Sequence, residues 1–163
     1  MKRCILFALC VFCVTAVAQD FVSYRYKIFS ECGCTVNMAA IMHKGNKTLL
    51  VQVVSEKLMF DDNPVLMLKN DKGEIIQLNG STLNSKSESS GVLVGSFIIP
   101  YTRNVASAIF PITDEQVDFL QNGISKIRLS TLPFTHERDF KKDKVGKRLY
   151  SKFKNLQIQE NDF

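Results

Sequence analysis

The chain has 163 residues, 45% hydrophobic and 23% charged, with a formal net charge of +5. That length suits one domain with its own core and excludes two comfortable ones, and the charge makes the protein only mildly basic. Of its five cysteines, Cys4, Cys10 and Cys13 lie near the start, and the remaining pair, Cys32 and Cys34, excludes a multi-bridge disulfide scaffold.

Lys2 and Arg3 precede an apolar run from Cys4 to Val17, and Ala16-Val17-Ala18 forms an A-x-A site. This is the layout of a cleaved secretory signal over residues 1–18. The run is shorter than the ~20 residues of a membrane-spanning helix, and no small residues of a lipid-attachment site stand before Cys10 or Cys13. The expected mature chain begins at Gln19 with a net charge of +3, because Lys2 and Arg3 leave with the signal. It is expected in the periplasm or outside the cell, as a single β-rich domain over 19–156 followed by a polar tail over 157–163.

Residues 21–29 alternate, with Val22, Tyr24, Tyr26 and Ile28 on one side, which predicts a half-buried strand. Further strands are predicted over 36–42 and 48–54, joined by the polar, glycine-bearing segment 43–47. Asp61-Asp62-Asn63-Pro64 reads as a turn, and strands over 65–68 and 74–78 flank Asn70-Asp71-Lys72-Gly73 as the clearest hairpin. The serine-rich segment 79–90 predicts a mobile surface loop. Val92–Ile99 and Val105–Ile112 predict two deeply buried central strands separated by Pro100–Asn104.

Thr113-Asp114-Glu115-Gln116 has the form of a capping box, opening a short helix near 114–121 that Gly123 would stop in a left-handed conformation. A strand is predicted over 124–132. Phe140, Val145, Leu149, Phe153 and Leu156 then recur at helical spacing among lysines and arginines, predicting a basic amphipathic helix interrupted or started near Asp143 and weakened by Gly146. About eight strands and two late helices define an α+β, mostly antiparallel, sandwich-like fold with the basic helix docked on it. The order of elements argues against a doubly wound nucleotide fold, and the polar end Gln157–Asp162 against a closing strand of an outer-membrane barrel.

Cys32-Gly33-Cys34 is the sharpest local oddity. Two thiols one residue apart could form a strained, reactive disulfide, a redox function, or could bind monovalent copper together with Met38, Met42 and His43. The plainer reading is an inert bridge beside a strand whose methionines are core. Neither His43 nor His136 sits in a nucleophile or metal motif. Ser151-Lys152-Phe153-Lys154 matches S-x-x-K without a companion motif, and the acidic pairs Asp61-Asp62 and Asp114-Glu115 suit a turn and a helix start. Asn46-Lys47-Thr48 and Asn79-Gly80-Ser81 match glycosylation acceptors, which matter only in a eukaryotic secretory route.

Eight cations between Arg138 and Lys154 face only Asp139 and Asp143. Lys141, Lys142, Lys144, Lys147, Arg148 and Lys152 are therefore the candidate contact for an anionic partner, namely a lipid headgroup, an acidic glycan or an envelope protein. Nucleic acid is not expected, since the chain is read as exported and no stacking platform accompanies the charge.

The segments Phe110-Pro111-Ile112-Thr113-Asp114-Glu115-Gln116, Gly123-Ile124-Ser125-Lys126-Ile127-Arg128 and Phe140-Lys141-Lys142-Asp143-Lys144-Val145-Gly146-Lys147, with the Ala16-Val17-Ala18-Gln19 start, resemble small exported proteins of unknown function from Gram-negative gut bacteria. The resemblance implies an exported β-rich domain and transfers no functional residues. The expectation is a non-enzymatic binding or accessory module, with no cofactor. The alternatives are a periplasmic redox or copper protein using Cys32 and Cys34, and an adhesin that uses the basic helix.

Overall fold

The computed structural model describes residues 22–27 and 33–161. A five-stranded antiparallel sheet has the order β1 (Val22–Lys27), β2 (Gly33–His43), β3 (Asn46–Ser55), β8 (Phe97–Pro111) and β7 (Ser81–Val94). A four-stranded antiparallel sheet has the order β11 (His136–Asp139), β9 (Lys126–Leu129), β5 (Val65–Lys69) and β6 (Ile75–Asn79), and a two-residue ladder joins β4 (Met59–Phe60) to β10 (Thr131–Leu132). Helix α1 (Asp114–Phe119) runs into a single 3-10 turn over Leu120–Asn122, and α2 (Gly146–Asn161) closes the described chain. The fold is thus mostly antiparallel β with a short helix and a C-terminal helix.

Alternation decides what each sheet buries. Val36 and Met38 of β2, Leu49, Val51 and Val53 of β3, and Ala106, Ala108 and Phe110 of β8 turn inward and are fully buried. They meet Leu66 and Leu68 of β5, Ile127 and Leu129 of β9, and Leu149 and Phe153 of α2 in one continuous core. Each large side chain lodged there is worth about 1.5–3 kcal/mol of burial, so the two sheets and α2 stabilise one another as a unit.

Local chemistry sets the connections. Lys44 and Gly45, at φ 50° and 77°, close β2 onto β3 as a two-residue turn. The Asn70 side-chain oxygen accepts the amides of Lys72 and Glu74 at 3.0 and 2.9 Å, and Gly73 supplies the positive φ between β5 and β6. The capping box forms as its sequence predicts: the Gln116 amide donates to Thr113 Oγ1 at 3.3 Å, and the Thr113 amide to Gln116 Oε1 at 3.0 Å. Gly123 ends the helix at φ 75° and ψ 170°, a mirror-extended rather than left-handed helical conformation.

Two sequence expectations are corrected. Residues 81–90 are not a loop but the first part of the long strand β7, and 92–99 is not one central strand. Gly95 and Ser96 turn the chain in the middle of that run, Gly95 at φ 62°. β8 then continues through Pro100 to Pro111. Pro100 lies where β8 has, among the described strands, a neighbour on one side only, because β3 pairs with β8 no further than Ser55 opposite Asn104, and a missing amide is tolerated at such an edge. The serines pair with β8 without an apolar stripe of their own, so their strand carries no hydrophobic period.

The basic helix also begins later than its spacing suggests. Phe140 lies in the connection from β11, its amide donating to Ser125 O at 2.7 Å, and it packs on the core from there. The largely polar residues 157–161 extend α2 rather than leaving it.

Candidate functional site

The connection between β11 and α2 gathers the cations. Arg138, Asp139, Phe140, Lys141, Lys142 and Lys144 line an open depression of about 530 Å³. Lys147 and Arg148 follow on the first turn of α2, and all five of Lys141, Lys142, Lys144, Lys147 and Arg148 are exposed. Lys152 lies further along the helix and is half-buried. Lys154 is held elsewhere, paired with Asp118 at 3.0 Å and 5.3 Å from the Tyr150 ring centroid.

One carboxylate organises this loop. Asp143 Oδ1 accepts the amides of Ile124 (3.0 Å), Val145 (3.1 Å) and Gly146 (2.7 Å), and Oδ2 that of Lys147 (2.9 Å). Partial burial pushes its pKa up, but these four amide bonds outweigh it and hold the carboxyl below its ordinary value. The first turn of α2 holds no acidic residue, although helix starts favour them. Asp143 supplies that negative charge from the cap position and offsets the positive helix end, so the positive surface here is that of the exposed cations.

Gly146 permits this docking. A Cβ there would meet Ile124 Cγ1 at 2.7 Å and the backbone of Gly123 and Ile124 at 2.9 Å. The glycine that weakens the helix by propensity is what lets its first turn lie against the 123–124 backbone.

The other candidates separate in space. Cys34 is buried at 1% exposure, and Cys32 lies outside the described residues. Cys34 and Met42 stand eight residues apart on the extended strand β2, roughly 27 Å at strand rise, too far for one ion to take both. Among the described residues no group of three or more His, Cys, Asp and Glu could hold a metal. Ser151 Oγ donates to Lys147 O at 3.0 Å, so its match to S-x-x-K is a local helix contact. Asp114 pairs with Lys47, and Asp61 Oδ1 accepts the Asp62 amide at 2.8 Å. His136 is buried at 3% exposure; burial and the nearby Arg138 lower its pKa to about 4 against a smaller opposing effect of Glu137.

The feature the sequence reading missed is the free end of the β7–β8 ribbon. Phe97 and Ile98 stand beside its turn with 75% and 73% of their surface exposed. The signal was present in Val92-Leu93-Val94-Gly95-Ser96-Phe97-Ile98-Ile99, two apolar runs about a two-residue glycine turn.

Among the described residues no helix is long and apolar enough to cross a membrane. The chain matches no protein-family model, no curated protein and no solved structure.

Proposed function

We propose that the protein is an exported, non-enzymatic binding or accessory module that meets an anionic partner through the loop before α2. The observation that supports this reading most directly is the exposure of Lys141, Lys142, Lys144, Lys147 and Arg148 together in the loop before α2 and on its first turn. Such a surface attracts anionic headgroups, acidic glycans or an acidic envelope protein, and the attraction is screened by salt. Export rests on the Lys2-Arg3 start, the apolar run and the Ala16-Val17-Ala18 site.

The test is binding to a heparin column and to an acidic glycan array at 50 and 500 mM salt. The protein should be retained at low salt and released at high salt, and a Lys141→Glu/Lys144→Glu/Lys147→Glu/Arg148→Glu variant should not be retained. Retention unchanged by the charge reversal sinks the assignment of this surface. Substrate turnover abolished by one substitution would sink the non-enzymatic reading.

A further inference from the structure

The β7–β8 ribbon outruns its sheet. Past Ser55 opposite Asn104, β8 pairs among the described residues with β7 alone, and the seven steps from Asn104 to Phe97 project it roughly 24 Å beyond its last bond to β3 at strand rise. At the end Val92, Leu93 and Val94 stand opposite Ile99, Ile98 and Phe97. Successive residues of a strand face opposite sides, and Phe97 and Ile98 are both about three-quarters exposed. Phe97 and Ile98 therefore leave one exposed apolar side chain on each face of the ribbon end.

We infer that this end enters the interfacial zone of a lipid bilayer. A second copy stacked on the ribbon would cover one face and leave the other in water. Acyl chains cover both. Polarity is graded as a membrane contact requires: residues 89–102 carry no charge in a chain that is 23% charged, and the first charged pair is Glu88 opposite Arg103. Between the apolar end and that pair lie Ser89, Ser90, Tyr101 and Thr102, residue types suited to the headgroup layer.

Depth agrees with the backbone's needs. Three apolar pairs span about 7 Å of ribbon, within the roughly 5–10 Å to which an amphipathic element enters the boundary of headgroups and acyl chains. Deeper entry would strand the unpaired outer edges of a two-stranded ribbon in hydrocarbon, which lipid-exposed backbone does not tolerate. The contact is a shallow anchor and not a span.

This inference rests on the binding-module reading but uses a different surface, so the two can fail separately. The chain has no tryptophan, so Phe97→Trp places a single reporter at the ribbon end of the protein as its producing cells release it. With phosphatidylcholine and phosphatidylglycerol vesicles its emission should shift to the blue and be quenched by lipids brominated on the acyl chain. A Phe97→Asp/Ile98→Asp variant should lose vesicle affinity at least about tenfold and keep its melting temperature, since both side chains are exposed. An unchanged spectrum with vesicles overturns the inference, and so does a blue shift that grows with protein concentration in their absence, which reports self-association. If vesicle binding survives the aspartates and vanishes on charge reversal at Lys141, Lys144, Lys147 and Arg148, the inference falls and the cationic surface stands.

Discussion

Replacing Asp143 tests whether the loop before α2 is organised as described. In Asp143→Ala four amides lose their acceptor. The Lys147 amide belongs to an exposed residue and rehydrates cheaply, whereas Ile124 and Val145 are fully buried. Loss of a helix cap costs about 0.5–2 kcal/mol and a buried amide left unpaired about 1–3 kcal/mol. Together these predict a loss of roughly 2–4 kcal/mol. Asparagine keeps Oδ1 for the first three amides and loses only the charge and the bond to Lys147, so Asp143→Asn should cost about 1 kcal/mol.

The assay is urea unfolding followed by far-ultraviolet circular dichroism, with an unchanged slope and a lower midpoint. Acid supplies a second arm. Because the folded carboxyl titrates below its ordinary value of 3.8, its stabilisation is complete above that value and fades as pH falls through the lower folded one. The gap between wild type and Asp143→Asn should therefore narrow below pH 3.8. If Asp143→Ala unfolds within about 0.5 kcal/mol of wild type, or if asparagine is as damaging as alanine, the four-amide account is wrong.

His136 predicts an earlier acid effect. Its pKa falls from 6.5 in the unfolded chain to about 4 in the fold, so the unfolded state binds more protons between those values. Stability should drop as pH falls across that window, by about 3 kcal/mol in all. A His136→Gln variant should show a flatter profile between pH 7 and 4 when melting is followed over that range, and parallel profiles would remove His136 as the cause. Gly146→Ala should destabilise by roughly 1–3 kcal/mol, although alanine favours a helix interior by about 1 kcal/mol. A raised melting temperature would contradict the close approach to Gly123 and Ile124.

Much of the fold was legible because it depends on neighbours in the chain. The turns at Lys44-Gly45 and Asn70–Gly73 and the capping box at Thr113 and Gln116 follow from backbone freedom and short hydrogen bonds. The six candidate cations could also be named in advance, since a run of lysines is a property of the chain.

Where that charge gathers was decided in three dimensions. Asp143 bonds to Ile124, nineteen residues away, and so turns a stretch of lysines into a loop seated at the start of α2. Phe140 matched the helical period from outside the helix, because a core side chain needs only to reach the core.

The ribbon marks the limit of sequence reading most clearly. Apolar residues around Gly95 look like core on a hydrophobic scale, and the serines of β7 look like loop. Burial, however, depends on what lies across from a residue, and pairing on the strand beside it. The sequence by itself determined the mostly antiparallel architecture, the turns at Lys44-Gly45 and Asn70–Gly73, and the charge. Only the tertiary structure decided that β3 stops at Ser55 while β7 and β8 continue past it, leaving Phe97 and Ile98 about three-quarters exposed.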